Sequence, residues 1–255
     1  MAASFSLRIF AAILATLVAW AALTTSAHAR MLSLVEDPWP PFTYGEAGEA
    51  PTGGDAVEFA EAVFERLDVP FEVTLYPWKR CLMMTKEGVS DGLLLLTRSE
   101  EREAWLAFTI PLMQSRDLVW YRADREEPVE WGTAADFSGY VIGRTAGFNY
   151  GDAFNQAEKE YVFTVDEAAT DLLNFKKLAA GRIDAFICNE IAAQHLFKAH
   201  PEFMGVFAAS AKPLKVVDLH MAFSKKTDAH ELVPEIDRVI AELQAEGVFD
   251  RILGR

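Results

Sequence analysis

The sequence predicts an α/β fold built as two similar lobes around a cleft, and two observations predict it. Apolar runs of strand length alternate with segments of helical period along the chain, which implies mostly parallel sheets with helices on their faces. One local unit also occurs twice, Gly88-Val-Ser-Asp91 ahead of Leu93–Leu96 and Gly181-Arg-Ile-Asp184 ahead of Ala185–Cys188. In each, a helix stops at Gly, the residue that most readily takes the left-handed conformation of a cap, and three residues on an Asp opens a buried strand. Asp91 and Asp184 read as structural, as acceptors for turn and strand-start hydrogen bonds.

The elements follow in order. Residues 1–29 read as a secretory signal: Arg8, an apolar run Ile9–Leu23, then the small-x-small site Ala27-His28-Ala29, with cleavage expected after Ala29. The run is shorter than the ~20 apolar residues a membrane span needs. No Cys follows the cleavage site, so no lipid anchor is expected. Met31–Val35 reads as the first strand, followed by the turn-rich Pro38-Trp39-Pro40-Pro41-Phe42. Gly53-Gly54 opens a helix that places Val57, Ala60, Val63, Phe64 and Leu67 on one face. Next come a strand Phe71–Leu75, a helix Trp78–Lys86, a buried strand Gly92–Leu96 and a strand Leu118–Tyr121. The charged stretch Arg122–Pro128 is a candidate boundary. Beyond it lie strands Tyr140–Gly143 and Tyr161–Val165, a helix Glu167–Ala180, a strand Ile183–Cys188 and a helix Glu190–Ala199. Two late strands, Leu214–Asp218 and His220–Phe223, precede a closing helix Glu231–Ala245.

Composition narrows the functions available. A formal charge of −14 disfavours nucleic acid and anionic lipid as partners. The five histidines stand singly, so neither a metal site nor a cofactor is expected. Cys81 and Cys188 have apolar neighbours and read as buried free thiols in different halves.

The segment Trp78–Leu112 carries the strongest chemical signal. Thr97 and Arg102 fall in a polar turn just past the C-terminal end of an apolar strand, where open α/β sheets bind ligands. Arg presents a planar fork of donors that matches a carboxylate. A lone Arg after Ser-Glu-Glu is also an ordinary solvated helix-start residue. Trp39 and Trp78 sit at strand-to-helix connections on the same side of the sheet. Aromatic residues are commonly core, yet two rings with an Arg between them suit a flat or aliphatic carboxylate.

These residues resemble the family 3 periplasmic solute-binding proteins, which deliver amino acids and similar solutes to ABC importers. The resemblance runs through PWPPFTY, GDAVEFAEAV, EGVSDG, TRSEEREAWLAFTIPL, GRTAG, AGRIDAFICNE and GVFDRIL, seven motifs in the family's order. It implies a two-lobe periplasmic binding protein fold that closes on ligand like a hinge, each lobe a mostly parallel sheet flanked by helices. Lobe 1 would comprise residues 30–121 and 219–255, and lobe 2 residues 122–218. By the same resemblance Arg102 matches the arginine that clamps a ligand carboxylate, and Thr97 a hydroxyl that assists it, with a backbone contact near Leu95. Trp39 and Trp78 match the two flanking aromatics, and Glu36 an acid placed against the ligand side chain. The turn Gly147-Phe148-Asn149 matches a loop whose backbone N–H groups reach the carboxylate. Asn189 stands where amino-acid binders of the family place an Asp for the α-ammonium, and it also suits a helix N-cap before Glu190.

The expectation is therefore a monomeric periplasmic binding protein, with no catalytic residue, that captures a small carboxylate-bearing solute and hands it to an inner-membrane ABC permease. An alternative is a cleft enzyme of the same fold, resembling lyases such as cyclohexadienyl dehydratase, for which Glu36, Asp37 and Glu190 are the available acids. A second alternative is a module that presents its bound state to a membrane receptor.

Overall fold

The structure is a computed structural model and describes residues 30–160 and 162–254. The expected signal segment, residues 1–29, lies outside the described residues.

Among the described residues ten strands form one mixed sheet: β1 Leu32–Glu36, β2 Phe71–Leu75, β3 Gly92–Thr97, β4 Leu106–Phe108, β5 Met113–Arg122, β6 Val141–Thr145, β7 Thr164–Ala168, β8 Ala185–Asn189, β9 Phe207–Ala209 and β10 Lys215–Ser224. Their order is β2-β1-β3-β10-β5-β8-β6-β7, with β4 beside β10 and β9 beside β5. Pairing is parallel within β2-β1-β3 and within β8-β6-β7. It is antiparallel where the ten-residue strands β5 and β10 join the two sets. The helices are α1 Asp55–Leu67, α2 Trp78–Glu87, α3 Glu100–Glu103, α4 Asp152–Lys159, α5 Asp171–Ala179, α6 Glu190–Ala199, α7 Val233–Ala245 and α8 Val248–Ile252.

Apolar spacing explains the packing. In α1 the buried residues Ala56, Phe59, Ala60, Val63 and Phe64 recur at helical intervals and meet Ile236, Val239, Ile240 and Leu243 of α7 over the first parallel set. Phe59 packs on Phe249 with ring centroids 4.6 Å apart. In the second half, Phe175, Leu178, Phe186 and Trp120 form one apolar cluster, while Phe137, Ile142, Tyr150 and Phe154 form another on different elements. Cys81 and Cys188 are buried in separate clusters. Among the described residues no helix is long and apolar enough to cross a membrane.

The repeated Gly-x-x-Asp unit does the same work in both halves. Asp91 Oδ2 accepts the Ser33 N–H at 2.9 Å while the Asp91 N–H donates to the Ser33 carbonyl at 2.7 Å. Asp184 Oδ2 accepts the Val141 N–H at 2.8 Å, and its own N–H donates to the Val141 carbonyl at 2.8 Å. Each Asp thus fixes the start of one strand against its parallel neighbour.

Several boundaries differ from the sequence expectation. The two late strands are one strand, β10, with an irregularity between His220 and Ala222. β5 begins five residues before Leu118, because Met113 and Ser115 alternate inward with exposed Gln114 and Arg116. α5 begins at Asp171, four residues after the expected start, because Thr170 caps it and β7 runs through Glu167 to Ala168.

Candidate functional site

Arg102 is placed by a short chain of local causes. β3 is apolar through Leu96 and ends at Thr97, so Thr97 lies in the strand and not in the turn. Ser99 then accepts the Arg102 N–H at 3.3 Å and caps α3. This points the Arg102 side chain back over the strand end, where only 7 % of the residue is exposed. Nη1 donates to the Thr97 carbonyl at 2.8 Å and to Thr97 Oγ1 at 3.1 Å, and Nη2 donates to the Gly147 carbonyl at 3.2 Å. The guanidinium lies 5.6 Å from the Trp78 ring centroid. Burial pulls its pKa down to about 10, so it stays charged at neutral pH. Among the described residues it forms no ion pair with a carboxylate.

This guanidinium lines a narrow cavity of about 50 Å³ that widens into an open mouth. Trp39, Trp78, Leu95, Thr97, Phe148, Asn149 and Asn189 line it too. Phe148 stands edge-on between the two indoles, 5.6 Å from Trp39 and 6.1 Å from Trp78. The lining suits a small ligand with an apolar body and a few polar anchors.

Glu36 is a correction to the sequence expectation, because it does not line the cavity. Its Oε2 accepts the N–H groups of Leu94 and Leu95 at 3.1 and 2.9 Å, and its Oε1 accepts that of Asp37 at 3.2 Å. Direct β1–β3 pairing stops at Val35–Leu93, and the Glu36 side chain serves the amides beyond. Its carboxyl is pushed well up by burial, then by Asp37. The Leu95 N–H is thereby committed to Glu36, so Leu95 meets the cavity with its side chain. The loop after β6 differs as well. The Phe148 N–H turns back to the Thr145 carbonyl at 3.1 Å, and it is the Gly147 carbonyl that faces Arg102 and Trp78.

Asn189 ends β8 and caps α6. Its Oδ1 accepts from the N–H groups of Ile191 and Ala192 at 3.0 and 3.3 Å and from Ser115 Oγ at 3.2 Å. Those three donors fix the amide's orientation, so Nδ2 is what remains toward the cavity. The residue is 6 % exposed and Nδ2 has no hydrogen-bond partner. Trp39 Nε1 is also buried and unpartnered. Trp39 lies near Asp171, and Asn189 near Asp117, in neither case with a hydrogen bond of normal geometry.

Three carboxylates that the sequence reading left out of the site also line the cavity: Asp37, Asp117 and Asp171. Burial raises Asp37 to about 7, with repulsion from Asp171 adding to it. Burial raises Asp171 too, although Thr145 Oγ1 donates to it at 2.5 Å. Asp117 rises to about 6 by burial, while Lys215 at 3.8 Å pulls the other way. The expected helix Glu167–Ala180 hid Asp171, and only the observed start of α5 puts it at a strand-to-helix connection, the kind of place that marked Thr97 and Arg102. Among the described residues no group of three or more His, Cys, Asp and Glu is arranged to hold a metal ion.

A second void of about 270 Å³ adjoins the first, and Asp37, Trp39, Phe148 and Asp171 line both. Its far wall carries Pro38, Leu172, Ala192 and His195, and Tyr44 Oη lies 3.5 Å from His195 Nε2.

Comparison with known proteins places these features. The pattern of the bacterial extracellular solute-binding proteins, family 3, matches residues 32–255. The L-cystine-binding protein TcyJ of Escherichia coli is 24 % identical over 220 residues, covering 86 % of this chain and 79 % of the relative. An ancestral arginine-binding protein, solved with arginine, superposes with a TM-score of 0.73 at 19 % identity, over 87 % of this chain and 95 % of its own. The arginine-, lysine-, histidine-binding protein ArtJ of Geobacillus stearothermophilus superposes at 0.72 with 19 % identity, over 88 % and 94 %. The fold is the α/β periplasmic binding protein fold.

Proposed function

The chain belongs to the bacterial extracellular solute-binding proteins, family 3, and from that membership we propose that it captures an amino acid or related carboxylate in the periplasm for an ABC importer. One observation carries the reading: a buried guanidinium, paired with no carboxylate among the described residues, faces the cavity. A buried charge without a counter-ion is costly, and a ligand carboxylate supplies one. The cystine-binding relative supports the amino-acid class. We further infer cleavage after Ala29, a monomer, and lobes at 30–121 plus 219–255 and at 122–218. The long strands β5 and β10, which join the two parallel sets, support that division. Binding, not turnover, is the activity proposed. Asp171 accepts from Thr145 Oγ1 at 2.5 Å and from Cys188 Sγ at 3.5 Å, but burial pushes that thiol well above its usual range, so it is not a ready nucleophile.

The test is a thermal-shift panel of amino acids, their des-amino analogues and keto acids, with hits titrated on wild type and on Arg102→Ala. A ligand that binds only the folded chain raises its melting temperature. Losing one partner of a buried charge pair costs ~2–5 kcal/mol, on the order of 30- to several-thousand-fold in affinity. Arg102→Ala should lose binding by that factor, with Arg102→Lys rescuing it poorly. An unchanged dissociation constant in Arg102→Ala would remove the carboxylate anchor, and turnover of a hit would replace the binding reading.

A further inference from the structure

The side chains around the cavity leave donors, not acceptors, without partners. Among the described residues three buried side-chain polar atoms have no hydrogen-bond partner: Trp39 Nε1, Asn174 Oδ1 and Asn189 Nδ2. Asn174 does not line the cavity, whereas Trp39 and Asn189 do, and both of their atoms are donors. The acids around the same space are each engaged. Asp117 lies 3.8 Å from Lys215 Nζ. Asp171 accepts from Thr145 Oγ1 at 2.5 Å and from Cys188 Sγ at 3.5 Å, and Asp37 shares a side-chain hydrogen bond with Glu36.

Asn189 is the more tightly fixed of the two donors. It ends β8 and caps α6, a helix of ten residues. Its Oδ1 is held by the N–H groups of Ile191 and Ala192 and by Ser115 Oγ, so the amide cannot turn its oxygen to the cavity without stranding all three. Nδ2 is therefore the atom offered there, on a residue 6 % exposed, at the positive end of α6. That end favours negative partial charge and disfavours a cation. A desolvated donor in this place calls for a ligand acceptor. An α-ammonium has three donors and no acceptor, so it would meet Nδ2 donor to donor and leave it unpaired. A carbonyl oxygen on the carbon next to the ligand carboxylate would pair it. Trp39 Nε1, the second free donor, adds to the same demand for ligand oxygen.

Resting on the carboxylate reading of the preceding subsection, we propose that the preferred ligand is a 2-oxo acid and that Asn189 selects it over the corresponding α-amino acid. Arg102 takes the carboxylate, and Asn189 Nδ2 donates to the oxo oxygen beside it. The apolar tail lies against Trp39, Trp78 and Phe148 and extends toward the mouth.

The experiment is calorimetric titration of the purified protein with two matched sets. One is 4-methyl-2-oxopentanoate, L-leucine and 4-methylpentanoate, and the other is pyruvate, L-alanine and propanoate. Within a set only the group on the second carbon changes. The proteins compared are wild type, Asn189→Asp and Arg102→Ala. Asn189→Asp keeps an oxygen for the cap and for Ser115 while exchanging the free donor for a carboxylate oxygen. Wild type should bind each 2-oxo acid on the order of 10-fold or more tighter than both other members of its set. In Asn189→Asp the 2-oxo acid should lose that advantage and the α-amino acid should become the tightest of the three. Arg102→Ala should weaken every member. The selection is overturned if wild type binds the amino acid as tightly as the 2-oxo acid, or if the oxo preference survives in Asn189→Asp. It is also overturned if the 2-oxo acid binds no better than the unsubstituted acid, which would assign Nδ2 to Asp117 and not to ligand. In each of those cases, binding that depends on Arg102 leaves the carboxylate reading standing alone. Failure of every carboxylate to bind overturns both. Should Asn189→Asp fail to fold, the wild-type ordering within the two sets still decides.

Discussion

Glu36 and Asp37 are adjacent acids with opposite duties, and the difference is set by where each carboxyl points. Glu36 turns inward and does the work of a missing stretch of strand, taking the Leu94 and Leu95 amides. Asp37 turns to the cavity. Glu36→Ala would strand two buried N–H groups, each worth about 1–3 kcal/mol of desolvation when unsatisfied. We expect it to lower the unfolding free energy in urea by ~2–5 kcal/mol, a fall too large for a residue acting only on ligand. A loss below ~1 kcal/mol would mean that water serves those amides equally well. This pair also marks how far site residues can be read from a chain. Arg102, Thr97 and the two tryptophans were legible because strand-end position and residue type agree. Which of two neighbouring acids lines the cavity was not legible, because it depends on how many residues of β1 pair with β3. Asn189 was legible as a cap, but the orientation of its amide depends on Ser115, which lies on another strand.

At the scale of elements, the short buried strands and the amphipathic helices followed from apolar periodicity, and α6 and β2 have the expected bounds. What escaped were elements with little apolar content. In α4 only Phe154 and Ala157 are buried among eight residues, too few to show a period. β5 was read only from Leu118, past the charged Arg116 and Asp117, and β10 was read as two strands divided at Leu219, between Asp218 and His220. The repeated Asp unit was legible as strand-start chemistry. Asp91 is 2 % exposed and Asp184 is half-buried, although their bonds are alike. Asp91→Ala should therefore destabilise the protein by ~1–3 kcal/mol and Asp184→Ala by less, since water can reach the amide that Asp184 leaves. Denaturant midpoints of the two variants compare them directly, and a larger loss at Asp184 would contradict the ranking.

At the scale of the whole molecule, the buried acids make stability depend on pH in a stated direction. An acid whose folded pKa lies above its unfolded value keeps its proton longer when folded, so its contribution is full below the unfolded pKa and is lost as pH climbs through the folded one. Asp37, raised to about 7 by burial and Asp171, spreads that loss from its ordinary pKa near 3.8 up to about 7, with the tail of the loss reaching past neutrality. His195 and His220, both lowered by burial, act in the opposite sense, but their effect fades once unfolded histidine is neutral. Between about pH 6.5 and 8 the ligand-free protein should lose thermal stability, and Asp37→Asn should flatten that slope. A melting temperature that rises over the same interval would exclude Asp37 as the dominant titrating group. One further consequence comes from the Gly147 carbonyl, which takes Trp78 Nε1 at 3.1 Å and Arg102 Nη2 at 3.2 Å from the other half. The join is made by main chain, so no side-chain chemistry is needed at position 147 to keep it. The requirement there is a backbone at φ +81° with little room beside Trp78, which Gly meets. Descendants of this chain can therefore rewrite the acids and aromatics around the cavity, and with them the cargo, while inheriting the same fastening between the halves.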